Sequence, residues 1–200
     1  MADGVADQKA RQRELLRQRL AALKPAELTT ASARIIDLLR ATLGEQLTQG
    51  VMAFHPLPGE PDLRPLLQEL IERGGIACLP GVDWTTKQMT PLRLDSLEQV
   101  RVGTHGVVEP DPGHPVECGE LSVILVPALG FDAQGRRLGR GGGFYDRFLA
   151  TCPPHLTVVG IGFRQQLLER IETGPSDVPL PMVITDAGVI EPGSSTMSAR

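Results

Sequence analysis

The sequence predicts an α/β fold in which a mainly parallel central sheet is covered on both faces and entered through an N-terminal helical hairpin. Three observations predict it. Short apolar runs bounded by Gly, Pro or charge recur along the chain, as strands buried on both faces do. Helix-like segments stand between several of these runs, and strand–helix alternation is the pattern of parallel crossover connections. Two stretches with leucines at helical spacing precede the first run.

In chain order, residues 8–23 carry Leu15, Leu16, Leu20 and Leu23 on one face with Arg and Gln opposite, an amphipathic helix. Residues 26–43 repeat the pattern with Leu28, Ile35, Leu38, Leu39 and Leu43, start just after Pro25 and stop at Gly44, the expected punctuation of a helix. Strands are expected at 51–54 (VMAF), 75–80 (GIACLP), 121–129 (LSVILVPAL), 156–163 (LTVVGIGF) and 181–185 (PMVIT). Helices are expected between them at 62–74, 144–152 and 164–172. Residues 81–119 are less regular, with MTPLRL as a candidate extra strand and VGTHGVVEPDPGHP as a Gly/Pro-rich loop.

With 200 residues and 41% hydrophobic content, the chain is sized for one core, so residues 1–190 are expected to form one domain. The tail 191–200, EPGSSTMSAR, has nothing apolar to bury and is expected to be disordered. A net charge of -4 supplies no basic field for nucleic acid or an anionic membrane. Any bound anion must therefore be held locally. No apolar run approaches the roughly 20 residues that span a bilayer, and MADGVADQKARQRELL lacks the apolar core of a signal peptide. A cytoplasmic monomer is the expectation. Cys78, Cys118 and Cys152 are widely separated, a spacing that suits neither structural zinc nor a disulfide framework.

The stretch GFDAQGRRLGRGGGFYDRF, residues 130–148, carries the chemistry. It leaves the carboxyl end of the most continuous apolar run, the place where open parallel sheets bind ligands. Gly141, Gly142 and Gly143 let backbone approach a ligand closely, and Arg137 and Arg140 offer charge-assisted bonds to phosphate oxygens. Asp146 beside bound phosphates would repel them unless a cation such as magnesium stood between. The loop alone admits three readings: an anion site for a nucleotide triphosphate with metal, a solvated surface loop with Asp146 as a cap, or an RNA-binding RGG segment. It is neither a P-loop nor a GxGxxG fingerprint.

VPALGFDAQGRRLGRGGGFYDRFL, residues 126–149, resembles the signature of the 5-formyltetrahydrofolate cyclo-ligase family. Weaker landmarks agree in order: KARQRELLRQRL (9–20), GEPDLRPLL (59–67), GIACLP (75–80), GVVEP (106–110) and PSDVPLPMVIT (175–185). The resemblance implies a Rossmann-like three-layer α/β fold. It also implies a magnesium-dependent reaction in which ATP is co-substrate and 5-formyltetrahydrofolate becomes 5,10-methenyltetrahydrofolate. ATP would meet Lys9, Arg13, Arg137, Leu138, Gly139, Arg140, Gly141, Gly142, Gly143, Phe144 and Tyr145. The folate would meet His55 and Glu60 and share Arg140 to Phe144. Magnesium would sit on Asp146 and Asp177, and the catalytic pair would be Arg140 and Asp146. Two departures stand out: Phe144 where a tyrosine is common, and Ser176 where many members have histidine.

Other residues keep plainer readings. His105, His114 and His155 lie beside Gly or Pro in loops and read as structural or solvated; Trp84 and Met89 read as local packing or cleft lining; Cys78 reads as a small buried hydrophobe. The alternatives to the cyclo-ligase are a non-catalytic folate- or nucleotide-binding module of the same fold, a sugar-phosphate isomerase or CoA-transferase-like enzyme, and an RNA-binding protein.

Overall fold

Residues 2–174 and 177–193 are described in the computed structural model. The chain opens with α1 (Ala2–Ala21) and α2 (Pro25–Leu43), the hairpin that the leucine spacing predicts. Pro25 sits in the first turn of α2, where a missing N–H removes no helical bond, and the Glu27 carboxylate accepts the Lys24 backbone N–H at 2.8 Å. Gly44 ends the helix at φ 51°, a conformation that favours glycine.

The strands are β1 (Gly50–Met52), β2 (Ile76–Asp83), β3 (Gln88–Arg93), β4 (Val100–Val102), β5 (Val108–Pro110), β6 (His114–Pro115), β7 (Val123–Pro127), β8 (Gly130–Phe131), β9 (Arg137–Leu138), β10 (Thr157–Gly162), β11 (Met182–Thr185) and β12 (Gly188–Ile190), with α3 (Arg64–Glu72) between β1 and β2 and α4 (Phe144–Leu149) between β9 and β10. Among the described residues, eight strands join in the order β12-β11-β10-β7-β1-β2-β3-β6. The inner five, β11 through β2, pair in parallel, and β12, β3 and β6 extend the edges antiparallel. From β1 the chain winds one way to β2; from β7 it winds the other way through β10 to β11. The order thus reverses between β1 and β7, and crevices for ligands open at the carboxyl ends of strands at such a reversal.

Adjacent strand residues point to opposite faces, so a strand covered on both sides must be apolar at every position. β7 shows this. Val123 and Leu125 join one core cluster with Val51, Leu79, Ile161 and, from α2 and α3, Ile35, Leu39 and Leu67. Ile124 and Val126 join the other with Met52, Cys78, Phe131 and Phe148 of α4. The result is the expected three layers. α1 belongs to neither face in full: its Leu16 packs in a third cluster with Leu129, Leu138 and Ile171, while Leu20 reaches the α2 side.

Three expectations need correction. The run 121–129 is not one strand: β7 ends at Pro127, and the chain folds back into the β8–β9 hairpin, with Leu129 N–H bonded to the Leu138 carbonyl at 2.8 Å. The helix expected over 164–172 is only a short turn at Arg164–Gln166 followed by extended chain. Gln166 is fully buried, donates to the Ala128 and Leu129 carbonyls and accepts the Phe163 N–H. Tertiary bonds satisfy the backbone there in place of a helix. The helix expected over 144–152 stops at Leu149. Residues 81–119, left irregular, hold β3 and β6 of the main sheet and the separate β4–β5 hairpin. Residues 194–200 of the tail lie outside the described residues.

The β8–β9 turn that aims Arg137 is organised by one buried carboxylate. Asp132, at 0% exposure, accepts the backbone N–H groups of Gln134, Arg136 and Ile171 at 2.8–3.0 Å and the Arg136 Nε at 2.6 Å. Asn at this position turns an amide N–H donor toward donors, and Asp132→Asn is expected to lower the unfolding free energy by about 2 kcal/mol in urea denaturation. A change within about 0.5 kcal/mol, the scale of an inert surface substitution, would show these bonds to be replaceable.

Candidate active site

A cavity of about 460 Å³ opens at the strand-order reversal, beneath Phe54 and His55 after β1 and Pro127 and Ala128 at the end of β7. Of the residues singled out in the sequence, it gathers His55, Glu60, Arg137, Gly139, Arg140, Gly142, Gly143, Phe144, Tyr145 and Asp146 along its lining. Leu138 turns the other way, into the core. Gly141, Lys9, Arg13 and Asp177 lie off the lining but bound into the same neighbourhood, as follows.

The glycine loop runs from β9 to α4. Gly143 stands at φ 65° immediately before the helix, a left-handed conformation that strains other residues. A Cβ on Gly142 would come within 2.7 Å of the Phe144 ring, so this glycine lets the loop fold beneath that ring. α4 itself has six residues, too few to concentrate much charge at its start. Attraction for an anion here comes from the arginines.

Three ion pairs frame the cavity. Arg137, whose side chain is 4% exposed, meets Asp146 Oδ1 at 2.6 Å. Arg140 lays Nε and Nη2 on Glu60 Oε1 at 3.2 and 2.8 Å, and Glu60 is held in its turn by accepting the Leu57 N–H at 3.0 Å. Lys9 of α1 meets Asp177 at 2.5 Å. One turn further along α1, Arg13 donates to the Gly139 carbonyl at 3.0 Å, tying the first helix to the loop. The Val178 N–H donates to Asp146 Oδ1 at 3.2 Å, which brings the backbone following Asp177 against Asp146. Asp146 and Asp177 are hard-oxygen donors of the kind magnesium takes, one or two carboxylates with phosphate and water completing its shell, and each is held here by a cation, Arg137 and Lys9. Among the described residues no group of three or more His, Cys, Asp or Glu gathers to hold a metal unaided. Ser176 lies outside the described residues.

Four buried side-chain polar atoms lack a partner among the described residues, and three of them are on this cavity: His55 Nδ1, Arg137 Nε and the Tyr145 hydroxyl. Each such atom costs about 1–3 kcal/mol when left unmade, so three of them on residues lining one cavity make it the candidate site. Burial pushes the Tyr145 hydroxyl well above its ordinary value, with Glu60 adding to the effect, so it remains a donor. Burial, then Arg64, lowers His55, which leaves a neutral imidazole at pH 7. Burial pulls Arg137 down while Asp146 opposes it, and a guanidinium stays charged through such a contest.

Sequence reasoning missed His105 and Val107 on the lining and left Trp84 and Met89 open between local packing and cleft lining; the cavity takes all four, and all come from residues 81–119. His105, read as a solvated or structural loop residue, stacks against Trp84. The one signal available was the lone tryptophan, and its partners could not be read without the pairing of β2 with β3. Cys78 is buried as expected, and burial pushes its thiol up to about 12.

The model of the 5-formyltetrahydrofolate cyclo-ligase family matches residues 5–186. The chain is 29% identical over 181 residues to the 5-formyltetrahydrofolate cyclo-ligase of Escherichia coli, covering 88% of this chain and 100% of that one. It is 39% identical over 142 residues to the enzyme of that name from Mycolicibacterium smegmatis, covering 68% of this chain and 72% of the relative. The NMR structure of Aquifex aeolicus 5,10-methenyltetrahydrofolate synthetase superposes with a TM-score of 0.79 at 28% identity, covering 96% of each chain. With nearly the whole chain matched and the signature loop folded around a charged cavity, the chain belongs to the 5-formyltetrahydrofolate cyclo-ligase family and is a ligase of folate one-carbon metabolism.

Proposed function

We propose that this protein uses ATP and magnesium to convert 5-formyltetrahydrofolate to 5,10-methenyltetrahydrofolate, releasing ADP and phosphate. The observation that carries the reading is the direct contact of Arg140 with Glu60. A side chain suited to phosphate and a carboxylate suited to the two donors of a pterin edge share one cavity, so substrates bound to them are close enough for direct transfer.

The chemistry sets the requirements. N10 of the folate must attack the formyl carbon on N5, and an amide oxygen leaves badly. The formyl oxygen therefore attacks the γ-phosphorus; the new O–P bond forms as the bond to ADP breaks. The N5–formyl carbon is now an iminium bearing a phosphate ester. N10 adds to that carbon and loses its proton, and phosphate departs with the former formyl oxygen. Phosphoryl transfer of this kind is governed by positioning and charge. Arg140 and Arg137 hold the phosphate oxygens, Gly139 and Gly141 to Gly143 bring backbone close, and Tyr145 and Phe144 close the wall. Lys9 and Arg13 orient the nucleotide from the α1 side. Glu60 and neutral His55 bind the folate. Asp146 and Asp177 would hold magnesium, which supplies charge neutralisation at the transferred phosphoryl group. This scheme uses no protein nucleophile.

The protein is further proposed to act in the cytoplasm as a monomer, with residues 1–190 as one domain and no nucleic-acid or membrane partner. No helix among the described residues is long and apolar enough to cross a membrane.

The test is to mix the protein with 5-formyltetrahydrofolate, ATP and magnesium and follow the near-ultraviolet absorption of the conjugated product. Formation that needs both ATP and magnesium supports the reading. Folded protein that binds both substrates without turnover would favour the non-catalytic module. Glu60→Gln refines the assignment: it is expected to raise KM for the folate about tenfold, as loss of a charged hydrogen bond does, and to leave KM for ATP within about twofold. A proportional rise in both would remove Glu60 from the folate.

A further inference from the structure

Trp84 is the only tryptophan of the chain, and the glycine loop does not account for it. It stands on the turn after β2 and lines the cavity while remaining partly exposed. Its ring centroid is 4.8 Å from that of Phe144 with the planes at 73°, and 4.5 Å from that of His105 with the planes at 62°. Both are edge-to-face geometries. Three rings from the β2–β3 turn, the β4–β5 connection and α4 thus meet on one wall.

The turn is fixed at both ends. Asp83 accepts the Thr85 and Thr86 N–H groups at 2.8 and 3.1 Å. Arg147 of α4 donates Nε to the Lys87 carbonyl at 3.0 Å and Nη2 to the Gly142 carbonyl at 2.7 Å, with its guanidinium 5.4 Å from the centre of the Phe144 ring. A single side chain therefore binds the tryptophan-bearing turn, the glycine loop and Phe144 into one unit. An aromatic wall held this firmly, beside charged groups and unpartnered polar atoms, fits a flat ring with a polar edge. Folate and ATP both have one. The cations Lys9 and Arg13 lie on α1, off the lining of this cavity, whereas His55 and Glu60 share the lining with Trp84. The cations on α1 and in the glycine loop suit the nucleotide's phosphates, whereas the pairing of His55 and Glu60 with an aromatic wall suits a flat ring with a polar edge, so the ring facing Trp84 is assigned to the folate.

We propose that Trp84 stacks on a planar ring of bound 5-formyltetrahydrofolate and determines folate affinity at this site. This rests on the reading above that the Glu60 side of the cavity takes the folate.

The lone tryptophan is its own reporter. Titrating the wild-type protein with 5-formyltetrahydrofolate is expected to quench its fluorescence saturably, after correction against free N-acetyltryptophanamide, while magnesium ATP leaves it unchanged. Trp84→Ala is expected to raise KM for the folate on the order of tenfold, the scale of losing one stacked ring, with KM for ATP within about twofold; Trp84→Phe restores KM to within about threefold. Thermal melts of both variants show whether the turn still folds, and the wild-type titration stands without them. Fluorescence unmoved at folate concentrations that calorimetry shows to be saturating overturns the stacking while leaving the cyclo-ligase reading intact. So does a Trp84→Ala variant whose two KM values rise together. Absence of both turnover and calorimetric folate binding in the wild type overturns the underlying reading and the stacking with it.

Discussion

Asp146→Asn is expected to lower kcat/KM for magnesium ATP about 10³-fold, the upper end of what losing one preorganised electrostatic group costs, while folate affinity by calorimetry stays within about threefold. The carboxylate has two duties. It is proposed as a magnesium ligand together with Asp177, and it is the acidic partner of Arg137 at 2.6 Å. Removing one member of a buried pair strands the other, at about 3–5 kcal/mol when both are fully buried. Asp146 keeps 23% side-chain exposure, so a stability loss of about 2 kcal/mol is expected instead. The two duties separate in the Arg137→Met/Asp146→Leu double variant. Replacing a buried pair by apolar side chains restores much of the stability, yet this protein remains inactive. Equal loss of ATP and folate binding in Asp146→Asn would instead place the carboxylate outside metal and phosphate handling.

Arg140→Ala is expected to lower kcat by about 10²-fold to 10³-fold. The guanidinium is 46% exposed, but Glu60, its ion-pair partner among the described residues, is 6% exposed, so the variant leaves a buried carboxylate with one donor fewer and is expected to lose about 1 kcal/mol of stability. Arg140→Lys keeps the charge but not the planar fork, and recovers only part of the rate. The same substitutions release Glu60, so KM for the folate stays level or falls. A kcat within about threefold of wild type for Arg140→Ala would show that the phosphoryl group is stabilised by Arg137 alone, which is not what a preorganised pair of donors produces.

The layers of the fold were legible because their signals are local and redundant. A strand covered on both faces must be apolar at every position, and VILVP in β7 can be little else; α1 and α2 announce themselves by leucine spacing and by Pro25 and Gly44. What misled was tertiary satisfaction of backbone. RQQLLERIE has the pattern of a helix, but a buried Gln166 bonds the carbonyls of residues 128 and 129 and holds the chain extended. In 81–119 the strands are two to six residues long, and a strand of three cannot display a period. The site divides the same way. Charged groups and glycines in one continuous loop were readable because chemistry restricts residue type there. The aromatic wall was not, because Trp84, His105 and Phe144 become neighbours only through pairing of β2 with β3 and packing of β3 on α4.

The three ion pairs also govern how substrates arrive. Lys9, Arg137 and Arg140 face Asp177, Asp146 and Glu60, three cations against three carboxylates, so these side chains present no net charge to a molecule more than a Debye length away, about 8 Å at physiological salt. With the whole chain at -4, these pairs do not steer an anion inward. The association rate of a nucleotide should therefore vary little between low and high ionic strength, and discrimination among phosphate compounds should reside in how fast they leave.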